Sequence, residues 1–251
     1  MRYLIISDIH GNWEALRGVL SHVRRKRYDR VVFLGDAVGY GASPNLVVGW
    51  LRSLGPSSVA VRGNHDRVCA GLDSAEYFNR YAREACTWTH ERLEARNLEY
   101  LRSMTSGPIE LDDEIAICHG SAIDEDTYIF SAYDAHIAFE ALPHGIVFFG
   151  HTHVPSLFEL RATEGGQELD VRLLSGRRLV VDLVLGGRYM FTPGSVGQPR
   201  DRDPRAACAM YDTEQRRLYV YRVTHRVAMA RRRILQAGLP PVLGDRLLYG
   251  A

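Results

Sequence analysis

Five short runs of β-forming, mostly apolar residues recur along the first 150 residues, and each ends at once in a polar cluster that contains glycine. The runs cover residues 3–6, 31–34, 59–61, 115–118 and 146–149. Unbroken apolar runs of this length are typical of strands covered on both faces, as in the centre of layered α/β folds. This feature constrains the fold most strongly, because such strands need helices or a second sheet on either side.

The segments between the runs predict the covering elements. Apolar residues recur at helical spacing over 12–27 and again over 44–54, so the N-terminal half reads β-α-β-α-β. After residue 155 the pattern changes to six successive strands with turns such as Gly165-Gly166, which suggests a second sheet packed on the first. We predict one continuous domain over 1–251, with a helical insert at about 74–103 and a basic C-terminal helix at about 227–237.

Composition excludes several classes of protein. The chain has 251 residues with 31 Lys+Arg against 30 Asp+Glu, which excludes a strongly basic nucleic-acid coat and an acidic disordered tail. We therefore expect no nucleic-acid partner, and the arginines at 231–233 are interpreted as a solvated helix face. No apolar stretch approaches the roughly 20 residues of a membrane span, so a soluble cytoplasmic protein with no membrane partner is expected. The four cysteines form no CxxC pair and are interpreted as reduced thiols.

Hard metal-ligand residue types follow each of the five runs. The clusters are Asp8-Ile9-His10-Gly11-Asn12, Gly35-Asp36, Gly63-Asn64-His65-Asp66, His119-Gly120 and Gly150-His151-Thr152-His153. Crevices in open α/β sheets form beyond the carboxyl ends of the strands, so these groups should converge there. Carboxylates and imidazoles gathered in one cleft need a cation to pair with them.

The ligand types also indicate which cation. Oxygen and imidazole ligands without thiolate favour a catalytic site for manganese, iron, zinc, cobalt or nickel over a structural zinc site. Asp36 lies in sequence order between two ligand groups and follows a glycine that lets the backbone turn closely. It is therefore a candidate bridge between two ions.

At this level of detail the sequence resembles the calcineurin-like metallophosphoesterase superfamily. It looks most like the small bacterial branch grouped with diadenosine tetraphosphatases and phosphoprotein phosphatases. All five motifs occur in the order of that family, and the stretches 35–45 and 193–200 also look like that branch. The resemblance covers the chain from Asp8 to about Arg205 and implies a four-layer α/β/β/α sandwich of two mixed sheets.

Carried over position by position, the resemblance implies two metal sites, with manganese the preferred ion. One site would be formed by Asp8, His10, Asp36 and His153, and the other by Asp36, Asn64, His119 and His151. The implied reaction is hydrolysis of a phosphate monoester or diester, a nucleotide being one candidate, by in-line attack of a metal-bridging hydroxide. His65 matches the proton donor to the departing alkoxide and Asp66 the carboxylate that would orient it, while Asn12 and Arg62 match phosphate-contacting positions.

The sequence departs from the phosphoprotein phosphatases at one point and leaves two questions open. Their second motif continues with Asp-Arg-Gly, whereas this chain has Gly39-Tyr40-Gly41, so a further phosphate-binding arginine is missing there. Tyr40 could line a pocket for an aromatic leaving group or could simply pack on the core. The alternative function is a metal-binding, non-catalytic scaffold on the same fold, and the oligomeric state is open.

Overall fold

The computed structural model describes residues 1–164 and 166–251 and contains two mixed sheets of six strands each. Gly165, one half of an expected turn, lies outside the described residues. The first sheet has the order β3(Ser58–Ala60), β2(Arg30–Phe33), β1(Arg2–Ile6), β11(Ala206–Asp212), β12(Arg217–Val223), β9(Arg178–Asp182). The second has the order β4(Ile109–Glu110), β5(Ile115–Ile117), β6(Ile146–Phe148), β10(Arg188–Thr192), β7(Ser156–Thr163), β8(Gly166–Leu173). The predicted α/β class and the two mixed sheets are confirmed.

Helices occupy both outer faces. The larger ones are α1(Trp13–Val23), α2(Pro44–Leu54), α3(Asn64–Cys69), α4(Arg80–Arg92), α5(Ala95–Ser103), α6(Ala132–Ala141), α7(Val227–Gln236) and α8(Pro241–Asp245). Three apolar clusters separate the layers: one lies between the two sheets, one lies beneath α1 and α2, and one lies beneath α6. This arrangement explains why the central strands are apolar on both faces. Among the described residues no helix is long and apolar enough to cross a membrane.

The division of strands between the sheets differs from the expectation of an N-terminal and a C-terminal sheet. In the first sheet the parallel strands β1 to β3 are joined by the C-terminal strands β9, β11 and β12. In the second, the parallel strands β5 and β6 continue into β10, which is also parallel to β6. Each sheet therefore combines N-terminal and C-terminal strands, a pairing over long sequence distance that local patterns do not reveal.

The segment expected to be helical over 74–103 forms two helices with a non-helical start. Asn79 caps α4 by accepting hydrogen bonds from the backbone N–H of Tyr81 and Ala82, so residues 74–79 stay outside the helix. Extended backbone at Leu93 and Glu94 then separates α4 from α5. Helix α4 packs beside α3, which carries the Asn64-His65-Asp66 motif, and so lies next to the clustered polar residues.

A half-buried histidine outside this cluster should make stability depend on pH. His225 lies between β12 and α7, and burial lowers its pKa to about 4 although the nearby backbone of Val223 opposes the shift. Because this pKa is below the usual 6.5, the unfolded chain takes up the proton first as the pH falls. The contribution of His225 to the free energy of unfolding is therefore complete above pH 6.5 and is lost progressively as the pH falls towards 4.

We expect His225→Gln to remove this part of the pH dependence. Between pH 6.5 and 4, the unfolding free energy of the unmutated metal-free protein should fall by about 3 kcal/mol more than that of the variant. Urea unfolding at several pH values measures the difference. Identical slopes for the two proteins would show that His225 contributes nothing.

Candidate metal centre

The five polar clusters meet at one edge of the two sheets, on backbone that is held in an unusual conformation. Positive φ angles are found at six non-glycine residues of these loops: Asp8, His10, Asp36, Tyr40, His151 and His153. Such angles cost free energy and persist only where the surroundings enforce them. Hydrogen bonds between neighbouring loops do so, for example from Asp8 N–H to Gly35 O at 2.9 Å and from His10 N–H to Asp36 O at 2.9 Å.

The first group of side chains consists of Asp8, His10, Asp36 and His153, all buried. His10 Nε2 lies 3.4 Å from Asp36 Oδ2, and His153 Nε2 lies 3.2 Å from Asp8 Oδ1. The opposite ring nitrogens are 2.9 Å from Val38 O for His10 and 2.6 Å from Gln198 O for His153. Donation from Nδ1 to a backbone carbonyl leaves Nε2 of each ring free to bind a cation.

The second group consists of Asp36, His119 and His151, also buried. His119 Nε2 lies 3.5 Å from Asp36 Oδ2, and its Nδ1 lies 2.7 Å from Leu34 O. His151 presents Nδ1 to the group, because its Nε2 is 3.1 Å from Asp126 O. Asp36 therefore belongs to both groups, in the position expected of a shared ligand.

Unsatisfied oxygen atoms test whether these residues fit metal ions. Asp8 Oδ1, Asp36 Oδ2 and Asn64 Oδ1 are all buried without a hydrogen-bond partner. An orphaned buried oxygen is costly unless it is paired, and these three belong to residues that the motifs assigned as ligands. The donor set of carboxylate, amide and imidazole, without thiolate, suits divalent transition metals.

The charges in the centre depend on one another. Burial opposes ionisation of Asp8 and Asp36, but the neighbouring histidines hold both carboxyl pKa values below their usual range. Burial likewise opposes the charged form of His119, and Asp36 and Asp8 outweigh it and raise the pKa to about 9. Burial, reinforced by the charge of His119, lowers the pKa of His151 to about 3. The carboxylates are therefore ionised, as metal binding requires.

His65 lies at the wall of a cavity of about 310 Å³ beside the second group. Its ring centroid is 4.4 Å from that of Tyr40 and 4.6 Å from that of Phe78. Burial opposes its charged form, but Tyr40, Cys86 and Asp36 raise its pKa to about 10. A protonated imidazole next to the metal-ligand groups can donate a proton to a departing oxygen.

Asp66 does not orient this ring, which corrects the expectation from the sequence. Its carboxylate accepts hydrogen bonds from the backbone N–H groups of Asp36, Val38 and Gly63 at 2.9, 3.2 and 3.2 Å. Both oxygens are thereby used to hold the loops of β2 and β3 together. The contact to Nδ1 of His65 comes instead from Cys86 Sγ of α4, at 3.3 Å.

The two residues expected to contact phosphate are engaged elsewhere. Asn12 is the N-cap of α1: its side chain accepts from Ala15 N–H at 3.0 Å and donates to Gly197 O at 2.9 Å. Arg62 pairs with Glu125 Oε1 at 3.1 Å, and that carboxylate also binds Arg67. Both side chains are thus held by partners within the protein, and their contact with phosphate stays a prediction.

Other residues near the centre have no assigned role from the sequence. Tyr128 stacks on the His151 ring with centroids 3.8 Å apart, and Arg246 lies over the Tyr40 ring with Cζ 4.4 Å from the centroid. Tyr40 packs in an apolar cluster with α4, α7 and α8 and also lines the cavity. That this cavity takes an aromatic leaving group stays a prediction. No local motif distinguishes Tyr128 or Arg246, because their neighbours at the centre are distant in sequence.

Comparisons with known proteins show the family of this chain. The model of the calcineurin-like phosphoesterase superfamily domain matches residues 1–216. The chain belongs to the calcineurin-like phosphoesterase superfamily. A metallophosphoesterase from Sphaerobacter thermophilus is 39% identical, each chain covered in full, with a TM-score of 0.85.

Two further proteins extend the comparison. An uncharacterized protein of Methanocaldococcus jannaschii is 32% identical over 98% of this chain and 97% of its own length. A hypothetical protein from Pyrococcus horikoshii is 19% identical over 100% of this chain and 98% of its own, with a TM-score of 0.79. The last match shows only that the calcineurin-like fold is shared.

Proposed function

We propose that this chain hydrolyses phosphate esters with two divalent cations, manganese being the preferred ion. The observation that carries the proposal is the sharing of Asp36 between two buried His/Asp groups, next to three ligand oxygens without a partner. Asp8, His10, Asp36 and His153 would hold one ion, and Asp36, Asn64, His119 and His151 the other. When bound, two such ions lower the pKa of water and neutralise phosphoryl oxygens.

The protein's own contribution is to position the reacting groups. Carbonyl groups of Val38 and Gln198 orient His10 and His153, and the backbone N–H groups that hold Asp66 tie the loop of Asp36 to that of Asn64. His65 faces the cavity beside Asn64 and His151, where a leaving group would depart, and holds a proton for it. Tyr40, Phe78 and Tyr128 form an aromatic wall of that cavity.

Hydrolysis of p-nitrophenyl phosphate and of bis(p-nitrophenyl) phosphate tests the proposal. The protein is treated with a chelator, and single metals are then added back. We expect turnover of at least one ester to return with manganese. Full metal binding with no turnover of either ester would contradict the proposal and favour the non-catalytic scaffold.

His65→Ala should separate proton donation from metal binding. Metal content should not change, while kcat on an alkyl phosphate should fall by about 10²–10⁴-fold. The loss on p-nitrophenyl phosphate should be much smaller, because p-nitrophenolate leaves without a proton. His136→Ala, at a half-exposed histidine of α6, is the matched control. An equal loss on both substrates would exclude His65 as the donor.

A further inference from the structure

Three neighbours restrict the position of the His65 ring without forming a hydrogen bond to it, within the part of the chain that the structure describes. Tyr40 and Phe78 pack on the ring, with centroids 4.4 and 4.6 Å from its own. Gly39 lies against the Nδ1 edge, where an added Cβ would overlap Nδ1 itself. These contacts limit how far the ring can turn, but they do not determine which ring nitrogen carries a proton.

The polar contact to this ring comes from Cys86. Its Sγ lies 3.3 Å from Nδ1 of His65, and both side chains are buried. A thiol can donate and accept a hydrogen bond, although it does both weakly. The opposite ring nitrogen, Nε2, has no hydrogen-bond partner among residues 1–164 and 166–251, and His65 lines the cavity. The two nitrogens of the ring therefore lie in different surroundings.

This contact bears on where the proton of His65 is held. A donor to a leaving group in the cavity must carry its proton on Nε2, because Nδ1 faces the sulfur. Two arrangements of the pair meet this condition. In the imidazolium, Nδ1–H donates to Sγ; in the neutral ring, Sγ–H donates to Nδ1 and the single ring proton is on Nε2. Both arrangements present an N–H group to the cavity.

The helical insert brings Cys86 to this place. Asn79 caps α4 and thereby fixes where the helix begins. Ala82, Ala85 and Cys86 then lie on its buried side, and α4 packs beside α3, which carries His65. Because a cap sets the register of the residues that follow, it also sets which side chain of α4 meets the His65 ring.

We propose that Cys86 is a positioning residue for proton donation: it holds the His65 ring with Nε2–H towards the leaving group, and the helical insert serves the metal centre through this contact. The inference rests on the proposed function of the same centre. Asp66, which the sequence suggested for this task, instead accepts from three backbone N–H groups. Cys86 acts through His65 and takes part in no covalent step.

Cys86→Ala in the metal-loaded, full-length protein tests this role. We expect kcat for ethyl phosphate to fall by about tenfold, the value of one hydrogen bond to a charged group, with KM and metal content unchanged. The loss on p-nitrophenyl phosphate should be much smaller, because p-nitrophenolate leaves without a proton. Cys208→Ala, at a buried cysteine of β11, is the matched control and should change neither rate.

Two further variants separate positioning from packing. Cys86→Ser differs from Cys86→Ala by one hydroxyl oxygen, which can donate and accept a hydrogen bond, so it should recover part of the rate on ethyl phosphate. Adding Cys86→Ala to His65→Ala should cost nothing more, because a residue that acts through His65 has no effect once that ring is gone. Equal losses on the two esters, additive losses in the double variant, or equal rates for the Ser and Ala variants would overturn the inference.

Failure of the proposed function can be told apart from failure of this inference. If the unmutated, metal-loaded protein hydrolyses no ester, the proposed function fails, and nitrogen NMR of the metal-free protein then decides the role of Cys86. The ring signals of His65 report how protons are distributed between Nδ1 and Nε2. A distribution that changes in Cys86→Ala and is partly restored in Cys86→Ser supports control of the ring by Cys86, and identical signals in all three proteins exclude it.

Discussion

Replacing Asp36 by asparagine is expected to weaken metal binding at both sites and to lower ester hydrolysis by about 10³-fold or more. The reason is that Asp36 is the one carboxylate common to both ligand groups. Asparagine has nearly the same shape and can still accept the hydrogen bond that Asp36 Oδ1 receives from His65 N–H at 2.9 Å. The variant should therefore keep the fold, and its loss of activity should follow from the loss of bound metal.

Thermal unfolding with and without manganese measures this loss. At a metal concentration of about 100 times Kd, binding stabilises the unmutated protein by about 2.7 kcal/mol per site, and the variant should lose most of that gain. Without metal, the variant should be less stable than the unmutated protein, because His119 and the other nearby histidines lose the negative charge that pairs with them; the gain in stability on adding manganese is therefore the quantity compared. Asp182→Asn is the control, because Asp182 is an exposed carboxylate of β9 that pairs with Arg217 of β12. Loss of one metal only, with the second bound normally, would contradict a shared role.

Replacing Gly197 by alanine should disrupt the centre from the backbone. Gly197 N–H donates to Asp8 O at 2.9 Å, and a Cβ at this position would overlap the carbonyl group of Ile9. The loop must then move away from β1, and with it Gln198 O, which holds the His153 ring. We expect the unfolding free energy of the metal-free protein to fall by about 3 kcal/mol and binding at the first metal site to weaken.

Gly49→Ala provides the matched control for this substitution. Gly49 lies within α2, and nothing would lie within 4 Å of its added Cβ. Alanine there should stabilise the protein by about 0.5–1 kcal/mol, because it favours the helix over the unfolded chain. Urea unfolding of both variants gives the comparison. Equal midpoints for Gly197→Ala and the unmutated protein would show that the loop accommodates the side chain without strain.

The gathering of the ligand groups could be predicted from the sequence because it depends on local pattern and on one rule of sheet geometry. Apolar runs predicted β1, β2, β5 and β6, and the ends of parallel strands meet at one edge. The assignment of strands to sheets could not be predicted, since β11 pairs with β1 across about 200 residues of sequence. Nothing in the residue types of β1 or in their order indicates that β11 is the strand paired with it.

The roles of individual polar residues depended on partners that the sequence does not identify. Asn12 begins a helical pattern, and Asn in that place is a favoured N-cap, a signal that would have explained its contact with Ala15 but not that with Gly197. Arg62 forms an ion pair with Glu125, 63 residues away in sequence, and Cys86 contacts His65 from a separate helix. No local pattern marks either contact, because each depends on how distant elements pack.

Anomalous diffraction from crystals grown with manganese tests the central claim most directly. We expect two peaks of similar height in each chain, one among Asp8, His10 and His153 and the other among Asn64, His119 and His151, with Asp36 contacting both. Two ions joined by a carboxylate should lie roughly 3.5–4 Å apart. A single peak, or two peaks of which only one contacts Asp36, would contradict a dinuclear centre in this protein.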